Sequence, residues 1–141
     1  MQAELRLTVP FRALSKVFVN QIFQATAKVV HIPQDFVFSV AVVSSPIMKN
    51  INRQYRQKAQ ATDVLSFKYQ HHAGEIILSA DFIRQQAKAH HHAVRTEAAF
   101  LLIHGILHIM GYDHERSYQA AQNMQKKEIK ILQLCGLTLE F

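Results

Sequence analysis

His104-Gly105-Ile106-Leu107-His108-Ile109-Met110-Gly111-Tyr112-Asp113-His114 is the stretch around which the rest of the chain is organised. The segment before it, Thr96 to Ile103, is mostly apolar and reads as a helix running into the motif. Residues four apart on a helix share a face one turn apart, so His104 and His108 can present ring nitrogens to one point. On a continuous helix His114 would sit roughly 15 Å from His104 along the axis, at about 1.5 Å per residue. Zn–N bonds are only about 2.0–2.1 Å, so an unbroken helix cannot bring all three rings to one ion. Gly111 offers the break, because glycine takes the left-handed conformation just past a helix end at no Cβ cost. The expectation is a helix that stops at Met110 and a turn through Gly111-Tyr112-Asp113 that folds His114 back. Three imidazoles would then surround one metal, with a fourth position open to water, as in a catalytic zinc site. A His pair at this spacing alone suits a polar helix face equally well. The helix stop and the third His favour the metal.

Working outward, the chain of 141 residues has the length of one domain and enough of it to bury a core without staples. We expect a single domain spanning residues 1–141. Its one cysteine, Cys135, cannot form an intramolecular disulfide, and it reads as a small buried hydrophobe in a reducing compartment. No stretch approaches the ~20 apolar residues of a membrane span, and the first residues lack a signal-peptide pattern. The expectation is a soluble cytoplasmic protein with no membrane partner. Net charge is +6, and its placement is uneven. Arg6, Arg12, Lys16, Lys28, Lys49, Arg53, Arg56 and Lys58 face only Glu4 and Asp35 in the first 60 residues, while the remainder is neutral. Such a surface suits a polyanion, or simply keeps the protein in solution.

Periodicity sketches the elements. Leu5 to Val9 alternates as a strand. Pro10 to Val30 shows helical spacing, with Pro10 at a favourable first position. Asp35 to Val43 is a second strand, and Ser44-Ser45-Pro46 opens a helix to Tyr55. After a polar loop over Gln57 to Ala61 come strands Val64 to Tyr69 and Glu75 to Leu78. The latter is short enough to be an edge strand or an incompletely read one. Helices follow over Asp81 to His91, Glu97 to Met110 and Arg116 to Leu134. Consecutive histidines point in different directions, so His90-His91-His92 reads as a solvated helix end and His71-His72 as a loop pair. This order argues an α+β fold: a small mixed four-stranded sheet covered by about five helices, with the metal site at the end of a buried helix.

The pattern His104-Gly105-x-Leu107-His108-x-x-Gly111-Tyr112-Asp113-His114 resembles the signature of the YbeY family, bacterial metal-dependent endoribonucleases of ribosomal RNA maturation. Upstream, Asn52, Tyr55-Arg56, Thr62-Asp63-Val64-Leu65-Ser66-Phe67 and Gly74-Glu75-Ile76 match a second block of that family in order. The resemblance implies one zinc held by His104, His108 and His114, and a functional Arg56 facing the metal cleft. It also implies RNA as partner, ribosomal RNA on ribosomal subunits, together with ribosome-assembly proteins. Two features depart from the family: Lys68 stands where proline is common, and the connection Gln70 to Ala73 is short.

The chemistry can be argued separately. The histidine spacing is similar to that of the metzincin proteases, but Gly105 occupies the position of their general-base Glu. A zinc protease needs that carboxylate, so peptide hydrolysis is disfavoured. Glycine in mid-helix costs about 1 kcal/mol relative to Ala. Gly105 therefore marks a close approach, either of substrate or of a packed neighbour. Three neutral imidazoles leave Zn²⁺ its full charge, and the Arg56 guanidinium would match phosphate oxygens bidentately. Water and the RNA 2′-OH are equally compatible nucleophiles. Arg53 and Lys58, with Lys49, would contact the RNA backbone. Asp113 reads as a hydrogen-bond acceptor behind His114 or as a turn residue. The expected function is a zinc-dependent single-strand endoribonuclease of rRNA maturation and ribosome quality control. The alternatives are a non-catalytic, metal-stabilised ribosome-assembly factor and a metallohydrolase with a non-RNA substrate.

Overall fold

Four strands and five helices follow one another in a computed structural model that describes residues 1–56 and 64–139. They run β1 (Gln2–Leu7), α1 (Lys16–Val29), β2 (Val37–Val43), α2 (Ser45–Arg56), β3 (Val64–Tyr69), β4 (Ala73–Ser79), α3 (Ala80–Ala89), α4 (Val94–Ile109) and α5 (Tyr118–Leu134). The sheet order is β1-β2-β4-β3. The first three of these strands are mutually parallel, and β3 runs antiparallel to β4 as a hairpin with Tyr69 opposite Ala73. The architecture is the expected α+β fold with a mixed four-stranded sheet.

Side-chain alternation explains the layering, because successive residues of a strand face opposite sides of the sheet. Val40 and Val42 of β2, with Ile76 and Leu78 of β4, enter the main core beneath α1, α3, α4 and α5. Ala41, Val43 and Ile77 face the other way, with Leu65, onto Met48 of α2. β2 and β4 are therefore buried on both faces, as parallel strands generally are. Of the two readings of Glu75 to Leu78, this excludes the edge strand and bears out the incompletely read one. The strand is longer by Ala73, Gly74 and Ser79, residues of weak β-propensity, and it is central.

Two other boundaries move for physical reasons. The helix expected from Pro10 begins at Lys16, where Ser15 Oγ accepts from the Phe18 amide at 3.1 Å. Phe11 and Leu14 are buried, but in a turn closed by Leu14 N to Phe11 O, so their apolar spacing is not helical. The first strand lies earlier than Leu5 to Val9, because pairing with Val37 to Val42 fixes its span. Among the described residues, no helix is long and apolar enough to cross a membrane.

α4 is the central helix. Its buried residues include Ala98, Ala99, Leu101, Leu102, Ile103, Ile106, Leu107 and Ile109, so it is enclosed on most of its circumference. It crosses β3 and β4 closely at Gly105. A Cβ there would lie 2.9 Å from Ser66 Oγ and 3.1 Å from Ile76 Cγ2. The close approach marked by this glycine is helix-to-sheet packing.

Candidate metal centre

α4 ends as its glycine predicts. Met110 caps the helix, and Gly111 adopts φ +100°. The Tyr112 amide bonds Leu107 O and the Gly111 amide bonds His108 O, both at 3.0 Å. This paired closure is the Schellman motif, which satisfies the last helical carbonyls and reverses the chain. Asp113 Oδ1 then accepts from the Glu115 amide at 2.9 Å, which makes it a turn residue and points His114 back toward the helix.

The three rings meet. Their centroids are 4.8 Å apart for His104 and His108, 5.0 Å for His104 and His114, and 5.3 Å for His108 and His114. One ligand atom from each lies within 4.8 Å of the others. The donor set fits a transition ion, since imidazole nitrogen suits zinc, copper, iron and nickel. Two observations fit such a role. His104 Nδ1 lies 2.8 Å from Glu128 Oε2, a carboxylate buried on α5. An ionised carboxylate only accepts, so the ring proton sits on Nδ1 and Nε2 is left as ligand. Burial lowers the pKa of His108 below its ordinary 6.5, with the neighbouring His104 and His114 adding to the effect. The neutral, metal-binding form is therefore favoured.

The centre opens into a cleft of about 720 Å³. One wall is β3 from Val64 to Lys68, the outer strand on that side of the sheet. The other is Phe100, Leu101, His104, His108 and Ile109 of α4, with His114 and Glu115 beyond. Arg53 is exposed on α2 and is not among the lining residues. Arg56 is the last residue of α2; its side chain, and all of Lys58, lie outside the described residues. The structure thus brings together the three expected histidines and puts none of the expected cations in the cleft lining among the described residues.

One residue of the site escaped the sequence reading, and a second was singled out there only as a departure from the family pattern. Glu128 follows Met124 by four and precedes Ile131 by three, so it lies on the inward stripe of α5, where an acid needs a partner. Lys68 lines the cleft and is its one Lys or Arg among the described residues. The His90-His91-His92 run also differs from a simple solvated end. His91 turns away in the left-handed region (φ 57°), while His90 and His92 converge on Glu97. His71 and His72 do form a turn, and His72 Nδ1 pairs with Asp35 Oδ1 at 2.6 Å.

An α+β domain with three histidines converging at the stop of a buried helix defines a candidate metalloprotein with an open, one-sided cleft. A family model described as Endoribonuclease YbeY matches residues 6–136. The Endoribonuclease YbeY of Carboxydothermus hydrogenoformans is 40% identical over 106 residues, covering 72% of this chain and 73% of that protein. That of Delftia acidovorans is 31% identical over 137 residues, covering 92% and 90%. The solution structure of TM1509 from Thermotoga maritima shares the fold, with a TM-score of 0.66 at 23% identity over 93% of this chain and 89% of that one. The chain belongs to the YbeY endoribonuclease family.

Proposed function

We propose that this protein is a zinc-dependent endoribonuclease that cuts single-stranded ribosomal RNA during maturation and quality control of the ribosome. It would act in the cytoplasm on ribosomal subunits, alongside assembly proteins. The observation that carries the proposal is the convergence of His104, His108 and His114 at the wall of an open cleft, in a chain of this family.

His104, His108 and His114 are the ligands in this reading. Bound there, zinc would supply Lewis acidity toward phosphate oxygens and an activated water. Glu128 holds the His104 ring in its ligating tautomer. Arg56 clamps the scissile phosphate through its two-pronged guanidinium. Lys68 adds a cation from the opposite wall, and Arg53 and Lys58 hold flanking phosphates without reading sequence. Glu115, the one carboxylate lining the cleft among the described residues, would accept a proton in this reading. Gly105 packs against β3 and β4, so no side chain from its position enters the cleft as a protease's glutamate would.

The test is cleavage of a single-stranded ribosomal RNA fragment by zinc-loaded protein, with Arg56→Ala and His108→Ala purified identically. Cleavage by the parent that both variants lose supports the proposal. Equal cleavage by all three would be contamination. No cleavage by a parent that retains its zinc would return the protein to a non-catalytic assembly role.

A further inference from the structure

We propose that His90, His92 and Glu97 form a second metal site, for a zinc-like transition ion, at the opposite end of α4 from the first. His90 caps α3, His92 lies in the connection, and Glu97 sits in the first turn of α4. Seven residues separate Glu97 from His104, about 10 Å along the helix at 1.5 Å per residue, so the two sites cannot share an ion.

The Glu97 carboxylate is buried, with only 4% of its side chain exposed. Among the described residues, the side chains at ion-pair distance from it are the two histidines, with no lysine or arginine. A buried carboxylate needs hydrogen-bond donors, a proton or a positive partner. Neutral imidazoles can each donate one N–H but bring no charge, so any countercharge comes from a proton or from a cation held in common.

The distances leave room for a shared cation. His92 Nδ1 is 3.2 Å from Oε2, and His90 Nδ1 is 3.5 Å from Oε1. The first is a hydrogen-bond distance, and the second lies at the long limit of one, so the bare carboxylate holds His90 only loosely. Ligand atoms held about 2.1 Å from one tetrahedral ion stand about 3.4 Å apart, and each histidine lies near that distance from a different oxygen of Glu97, as a carboxylate ligating through both oxygens allows. All three ligand atoms already lie within 4.8 Å of one another.

The backbone builds this arrangement. The His92 amide bonds Ala87 O at 2.9 Å and the His91 amide bonds Lys88 O at 3.3 Å, closing α3 as Gly111 closes α4. With His91 left-handed, its neighbours on either side come to the same carboxylate while its own ring stays exposed. Two imidazoles and one carboxylate select zinc, nickel or ferrous iron over magnesium or calcium. Half-exposed His90 leaves the remaining coordination positions to solvent. The ion would displace the Nδ1 protons and fasten the α3–α4 corner to the first turn of α4.

The site is independent of the RNA-cleaving reading, and its test uses metal content. The protein is stripped, reloaded with Zn²⁺ at neutral pH, dialysed and assayed by elemental analysis. His90→Ala should hold one equivalent less than the parent. His108→Ala/His114→Ala should keep one equivalent, which raises its melting temperature and is lost when His90→Ala is added. His71→Ala, at another exposed histidine turn, should lose nothing. Unchanged zinc content in His90→Ala, or an equal loss in His71→Ala, would overturn the proposal and leave a protonated histidine pair on Glu97.

Discussion

Glu128, on α5, holds His104 Nδ1 at 2.8 Å, so the last long helix sets the orientation of a ring carried by α4. Hydrogen-bond partners behind metal-binding histidines commonly contribute 10–100-fold in affinity. Glu128→Gln retains the shape of the side chain but removes the charge that holds the Nδ1 proton. Zinc affinity at the three-histidine site should fall by about 10–100-fold on that basis. Competition with a chromophoric chelator measures it, and parental affinity in Glu128→Gln would mean that Glu128 serves only to hold α5 in place.

Gly105→Ala sets helix propensity against packing. The substitution gains about 1 kcal/mol of propensity, but overpacking costs about 1–3 kcal/mol. Ser66 Oγ can rotate away from the new methyl, whereas Ile76 Cγ2, at 3.1 Å, is part of the filled core. The expected net effect is a loss of about 1 kcal/mol, or about 4 °C in melting temperature for a domain of this size. Urea denaturation decides it, and a gain in stability would show that β4 yields to the helix.

The lowered pKa of His108 makes the metal-free protein sensitive to acid. The unfolded chain takes up this proton near 6.5, whereas the folded chain takes it up at lower pH. Between those values the unfolded state binds more protons, so stability rises with pH. The contribution is therefore present above about 6.5, falls as pH drops toward the folded value, and changes no further below it. Unfolding the metal-free parent and His108→Gln from pH 8 to pH 5 should show a steeper loss for the parent. Parallel curves would mean that His108 titrates alike in both states.

Cys135 should resist alkylation. Burial raises its thiol pKa above 9.0, only partly offset by the nearby Arg95 charge, and the thiolate is the reactive form. At pH 7.5 the native protein should label more slowly with iodoacetamide than the same chain in denaturant. Equal rates would place the thiol in open solvent.

What could be read from the sequence depended on whether a residue's neighbours in the chain are also its neighbours in space. The stop of α4 is local: Gly111 and the carbonyls it serves lie within one turn, so the convergence of the three histidines was legible from spacing. The centrality of β4 is not local, since it depends on β2 lying alongside and on weak strand formers at both ends. The start of α1 was obscured because Phe11 and Leu14 fill the core from a turn. Glu128 was hidden by the ordinary preference of acids for water. The pairing of His90 and His92 required a left-handed histidine, which spacing does not reveal.

The three-histidine centre joins ligands of unequal freedom. His104 and His108 ride on the most enclosed helix of the domain, while His114 sits on an exposed turn beyond Gly111. Segments with few buried contacts open far more often than core helices. An ion held there would therefore depart in a set order, released by His114 while the other two rings keep their grip, and its residence time would follow the opening rate of one short turn.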